Sequence, residues 1–221
     1  MSIIRKSIVT GLLLGTVGVI PAANAGVSAN AGFVTDYYFR GASLGDAGAY
    51  FGLDYENSGF YAGTWWIDDG GDTSGNDGLE TDFYFGYGYE SGDFSAGIGY
   101  NRYEYTYTSD YEDEIMLTLG YSMLSFEYAG GTDTDEEGLP ATVETDFSHT
   151  ALGLSGEILG IKYGSYENDD VPAADYTYIE LSAGGTVGEF DLSVTVGDAS
   201  QDDGDPGAYI FLDISKSFDL F

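Results

Sequence analysis

The sequence predicts an all-β protein, a transmembrane antiparallel up-and-down β-barrel of twelve strands behind a cleaved leader. Three observations carry that prediction. Apolar and polar residues alternate in successive segments, short turns take turns with long acidic loops, and the N-terminus has the layout of a secretory signal. Side chains along a strand point alternately to opposite faces, so such segments carry one apolar and one polar face. A barrel in an outer membrane has tight turns on its periplasmic side and longer loops outside.

The leader comes first. Arg5 and Lys6 precede an apolar stretch from Ile8 to Ile20, and Ala23-Asn24-Ala25 supplies the small-residue cleavage site. This is the pattern of a secretory signal peptide spanning 1–25, with the barrel domain at 26–221. The apolar stretch falls short of the roughly 20 residues that a spanning helix needs. The chain has no cysteine, so neither a disulfide framework nor a thiolate metal site is available.

Twelve segments follow, near 27–40, 49–56, 60–67, 79–89, 94–105, 112–121, 124–130, 145–154, 158–166, 175–184, 190–198 and 208–218. The alternation is plain in several. Val27, Ala29, Ala31 and Phe33 share a face, as do Phe83, Phe85, Tyr87 and Tyr89; Ile115, Leu117 and Leu119; Leu192, Val194 and Val196; and Ile210, Leu212 and Ile214. The phase is ambiguous at 60–67, where Trp65 and Trp66 are adjacent, and at 145–154. Short turns lie at Asn57-Ser58-Gly59, Glu90–Asp93, Tyr121–Met123, Ser155–Glu157 and Gly185–Glu189. Long loops lie near 41–48, 68–78, 106–113, 130–144, 167–174 and 199–207. An even strand count leaves both termini in the periplasm.

A soluble antiparallel sandwich would alternate in the same way. Three features favour the barrel. The polar face is rich in glycine, which suits a crowded lumen. Tyrosines gather near strand ends, at Tyr37-Tyr38, Tyr103, Tyr105, Tyr107, Tyr176 and Tyr178, as aromatic girdles do, and the chain ends on an aromatic.

Charge narrows the partners. There are 38 acidic residues against six Lys and Arg, and the acidic ones all follow Ala25. Such a surface repels nucleic acid and anions and attracts cations. The inward phase collects Asp36, Asp54, Glu80, Asp82, Glu114, Glu127, Glu180, Asp191 and Asp213 as candidate lumen-lining carboxylates. Arg40, with Arg102 and Lys162, would oppose them and set up a transverse field. A one-residue slip would turn any of these sets to the other face.

Acidic, glycine-containing loops around Asp68–Asp77, Asp133–Glu137 and Asp198–Asp205 offer oxygen ligands of the kind calcium takes, but not with EF-hand spacing. Solvation alone, or divalent bridging to lipopolysaccharide, explains them as well. No cofactor is predicted.

The opening Val27–Ser43 stretch, with Gly52-Leu53-Asp54-Tyr55-Glu56, Ser58–Trp65, Leu79–Tyr84 and the closing Ser215–Phe218, resembles the TorF-type porin family, bacterial outer-membrane barrels without an assigned function. The resemblance is sharp over the N-terminal 60 or so residues and at the C-terminus, and looser between 100 and 205. It implies an outer-membrane location in a Gram-negative bacterium and, by name, a pore. It supplies no catalytic residues.

Phe218 shares the outward phase of Ile210, Leu212 and Ile214, whereas Phe221 falls out of it. The expectation is that Phe218 closes the last strand and 219–221 forms a short tail, either aromatic serving the barrel-assembly machinery. The single histidine, His149, has no Gly-x-Ser-x-Gly elbow to partner it, so an enzyme is not expected. The expected function is passive movement of small hydrophilic solutes, cations preferred, as acidic rings give in cation pores. The rival is a closed structural or loop-binding barrel, plugged by inward Tyr50, Tyr84, Tyr178, Tyr209 and Phe211.

Overall fold

Each alternating segment becomes a strand because its apolar face has no partner within one hairpin, and pairing around a closed ring satisfies every edge. The structure, a computed structural model, describes residues 26–68, 78–106, 108, 110–135, 143–201 and 207–221, with backbone alone at 173 and 201. The leader expected at 1–25 and much of the acidic loops (69–77, 136–142, 202–206) lie outside the described residues.

The strands are β1 (Gly26–Val34), β2 (Tyr37–Phe39), β3 (Ala42–Gly45), β4 (Gly48–Asn57), β5 (Phe60–Asp68), β6 (Leu79–Ser91) and β7 (Phe94–Tyr105). There follow β8 (Tyr111–Tyr121), β9 (Leu124–Asp135), β10 (Val143–Ser155), β11 (Leu159–Asn168), β12 (Tyr176–Val187), β13 (Phe190–Gln201) and β14 (Gly207–Asp219). All but β2 and β3 form one closed antiparallel barrel, sealed by β1 pairing with both β14 and β4. The predicted twelve-stranded count and most strand bounds agree with the structure.

The outward face is apolar. Phe51, Leu53, Phe85, Ile98, Ile115, Leu117, Leu152, Leu181, Val196, Ile210 and Leu212 are all exposed on it. A ring of exposed aromatics lies near the short turns, made of Tyr55, Phe60, Tyr87, Tyr89, Phe94, Tyr121, Phe190 and Phe218. Exposed apolar surface on this scale needs an apolar surrounding.

Four expectations are corrected and one is refined. The first barrel strand stops at Val34 rather than running to residue 40, because 37–45 folds into its own two-stranded hairpin. The loop at 130–144 is shorter than read, since β9 and β10 continue their pairing to Val143↔Asp135. Tyr37, Tyr103 and Tyr178 are not girdle residues; they are buried inside, where hydroxyl partners await them. Arg102 faces outward, where it pairs with Glu104 and Asp113 and lies over the Tyr111 ring, so it adds nothing to a field in the lumen. The last strand ends at Asp219, one residue past the expected Phe218, and the short tail after it is tied to β1: Val27 donates its N–H to the Phe221 carbonyl, and Leu220 donates to Val27. The ambiguous pair is resolved by its neighbours, Trp65 packing inside against Tyr37 and Tyr50 and Trp66 stacking outside on Phe51.

Candidate functional site

The hairpin β2–β3 lies within the barrel. Its side chains reach six strands around the ring, which only an element in the lumen does. Tyr37 donates to Glu80 Oε1 on β6 at 2.8 Å and packs on Trp65 of β5. Tyr38 stacks on Tyr209 of β14 at 4.1 Å between ring centroids, and Phe39 lies against Tyr103 of β7. The turn is Arg40-Gly41, both residues at positive φ (50° and 85°), as a two-residue hairpin of the I′ kind requires. Gly41 is also needed for space, since a Cβ there would sit 2.6 Å from Tyr178 Cβ.

Arg40 occupies the centre. Its Nη1 donates to Glu114 Oε2 at 2.7 Å and its Nη2 to Glu114 Oε1 at 3.0 Å, a two-pronged pair on β8. Its Nε lies 3.7 Å from Glu127 Oε1 on β9. Glu114 Oε1 also accepts from Asn101 Nδ2 at 2.6 Å and from Tyr103 Oη at 2.9 Å, both on β7. On β10, His149 has Nδ1 at 3.3 Å from Glu127 Oε1 and Nε2 at 2.9 Å from Tyr178 Oη. Arg40, Glu114, Glu127 and His149 are all buried. Breaking such a buried pair by removing one partner strands a charge away from water.

Asp54, Glu180 and Asp213 are held by tyrosines in a repeated arrangement, which Tyr178 shares. A tyrosine leans across the in-register glycine of the next strand and reaches a polar group one strand further. Tyr84 crosses Gly63 to donate to Asp54, and Tyr209 crosses Gly197 to donate to Glu180 Oε1 at 2.9 Å. Tyr50 crosses Gly32 to donate to Asp213 Oδ2 at 2.7 Å, and Tyr178 crosses Gly164 to His149. All four lean in the same sense around the barrel. Any Cβ on these glycines would collide with the phenol, at 2.1–2.5 Å.

The inward positions named from the sequence therefore divide. Glu80, Glu114, Glu127, Glu180 and Asp213 are buried around the hairpin, and Asp54 and Asp82 sit half-buried on the same inner face. Asp191 lies near a short turn, where it accepts from Thr186 Oγ1 at 2.6 Å. Asp36 and Arg40 are not on a barrel strand: Asp36 is half-buried at the bend before the hairpin, and Arg40 is the hairpin's tip. Lys162 faces inward on β11 in register with Glu180. Phe218 is exposed on the outer face and Phe221 at the rim.

Sequence reading missed the hairpin, His149 as a partner of Glu127, and Asn101 and Tyr103 as supports for Glu114. The available cue was Arg40-Gly41 between Tyr37-Tyr38-Phe39 and Ala42-Ser43-Leu44, a weaker hairpin signal than Asn-Gly or Asp-Gly.

Away from the hairpin, toward the short turns, the inner wall changes. Ser95, Gly120, Ser125 and Gly153 lie side by side in register on β7 to β10, with Gly160, Ser182, Gly184 and Ser193 completing a small-residue lining that is partly or fully exposed.

The fold is shared with known membrane barrels. A chain solved in work on in-meso crystallisation of membrane proteins superposes with a TM-score of 0.59 at 9% identity, covering 89% of this chain and 84% of that one. The KdgM porin gives 0.56 at 11% identity, covering 86% and 99%. An outer-membrane channel of Pseudomonas putida F1 gives 0.54 at 9% identity, covering 93% and 99%. No curated protein matches the chain. The chain belongs to a family of bacterial proteins of unknown function (Gcw_chp), whose model matches residues 19–216.

Proposed function

We propose that the chain is an outer-membrane channel of a Gram-negative bacterium for small hydrophilic solutes, cation-preferring, and closed in this conformation by its own hairpin. The observation that carries this reading is the two-faced barrel. The wall is apolar outside and polar inside, and inside it Arg40, with Lys162 on β11, faces a majority of carboxylates. A carboxylate-lined lumen lowers the energy of a cation relative to an anion. The similarity to porins and channels agrees with a non-enzymatic role, as does the resemblance of the opening residues to TorF-type porins.

On this reading residues 1–25 are removed on export, and the outer face meets lipid and lipopolysaccharide. Phe218 and Phe221 stand where the barrel-assembly machinery would read them. Asp54, Glu80, Asp82, Glu114, Glu127, Glu180, Asp191 and Asp213 give the lumen its charge, with Asp36 at its entrance.

One observation favours the rival, a non-conducting structural or loop-binding barrel. At the level of the hairpin, buried side chains enter from nearly every strand, among them Val34, Tyr50, Ile67, Tyr103, Met116, Phe147, Tyr178 and Tyr209. Planar-bilayer current under a salt gradient separates the two. The channel reading predicts steps with a cation-selective reversal potential, rare in the wild type and frequent once Arg40 is replaced. Folded, inserted protein that conducts in neither form contradicts it.

A further inference from the structure

The wall around Arg40 is a complete cation receptor in its own right. Glu114 offers both oxygens, and its Oε1 is fixed by Asn101 and Tyr103; Glu127 stands beside it, with His149 Nδ1 3.3 Å from its Oε1. All five of these residues belong to β7, β8, β9 and β10, whose backbones are paired in the barrel. Arg40 belongs to a separate two-stranded sheet with no backbone ladder to that wall. The guanidinium thus stands to the wall as a ligand to a preformed site, and its bearer sits at a left-handed φ that a non-glycine residue adopts at a cost.

We propose that this pocket is a guanidinium-binding site which Arg40 fills from within, and that a guanidinium-bearing solute arriving from the long-loop end releases the hairpin by taking its place. The second half rests on the channel reading above; the first does not. The chemistry selects the class of ligand. Two parallel N–H···O bonds to one carboxylate match a planar guanidinium and not an ammonium or a metal aquo ion. Withdrawing Arg40 leaves Glu114 buried without the cation that holds it, so the emptied wall favours a replacement. The tether gives Arg40 a high effective concentration, so a free competitor is needed at millimolar levels or above.

The test uses the Arg40→Gly variant, since glycine fits the positive φ and leaves the pocket open. Melting is followed in detergent with guanidinium chloride or sodium chloride at about 10 mM, well below denaturing levels and near the effective concentration of a short tether. Guanidinium is expected to raise the melting temperature of R40G by roughly 3 °C or more. It should leave the wild type and the R40G/E114Q double variant unmoved. An equal response of R40G to the two salts overturns the proposal. Should R40G fail to fold in either salt, R40K replaces it; lysine keeps the charge and loses the fork, so guanidinium should still stabilise it, and an equal response to sodium again overturns the proposal. Bilayer current is recorded in parallel. A guanidinium response in a protein that never conducts upholds the pocket and removes the channel reading. Conduction by R40G with no guanidinium response upholds the channel and removes the pocket.

Discussion

The two halves of the lumen obey one sequence rule and do opposite things. Toward the long loops, the inward positions are tyrosines, carboxylates and His149 packed on the hairpin, and most are buried. Toward the short turns, serine and glycine predominate from β7 to β13, joined by Asp191 and, on β5, by Tyr61, and water reaches them. Strand phase is the same in both halves. What differs is side-chain volume: glycines beneath the hairpin are covered by a tyrosine from the next strand, whereas Gly153 meets only the rotatable Ser125 hydroxyl. Alternation decides which side chains enter a barrel, and size decides whether the interior is filled.

The largest expected effect comes from removing the latch. R40G should increase bilayer open probability severalfold over the wild type, because the hairpin then loses its charged anchor and is held by apolar packing and the Tyr37–Glu80 hydrogen bond. An unchanged current would mean that those contacts alone hold the closure.

Glu114→Gln comes next. It leaves the Arg40 charge buried without its two-pronged partner, and should destabilise the fold by about 3–5 kcal/mol, read from the denaturant midpoint. A loss of less than about 1 kcal/mol, the range of a surface pair, would place the guanidinium in water.

Glycine substitutions sharpen the contrast between halves directly. Gly164→Ala puts a methyl group where the Tyr178 ring lies and should cost about 1–3 kcal/mol. Gly153→Ala, met only by Ser125 Oγ, should stay within about 0.5 kcal/mol. Equal costs would contradict the division.

The smallest effect lies outside the lumen. Glu189, fully exposed in the turn before β13, accepts from Lys216 Nζ at 2.9 Å, and that contact holds its carboxyl below the usual range. A depressed folded value adds stability above the ordinary carboxylate titration and loses it as pH falls through the folded one. Lys216→Ala should return the Glu189 titration, followed by NMR, to its ordinary position, with no measurable change in melting temperature at neutral pH.

Much of this was legible in the sequence. Alternation placed the faces of β6, β8, β13 and β14, because side-chain period is fixed once a segment is a strand. The inner carboxylates followed from the same count. The hairpin was not legible, since 35–40 continues the β-forming composition of β1 and a reader sees one long strand. Arg102 shows the converse: it alternates with the inward Asn101 and Tyr103, so strand phase alone turns it outward, where Asp113 and Tyr111 meet it. Tyr37, Tyr103 and Tyr178 read as girdle residues because strand-end tyrosines look alike inside and outside. The glycines that admit the tyrosines looked like generic lumen filler, since their pairing exists only in the register.

The most direct test of a lumen filled at one end and open at the other uses a single reporter. The chain has no cysteine, so Ser182→Cys puts one thiol on the small-residue wall of β12. A membrane-impermeant thiol reagent is applied to each side of the inserted protein, in the wild-type background and with R40G. Labelling from the short-turn side in both backgrounds, and from the long-loop side only with R40G, is the predicted result. Equal labelling from the long-loop side with Arg40 in place would contradict it and show that the hairpin does not close the barrel.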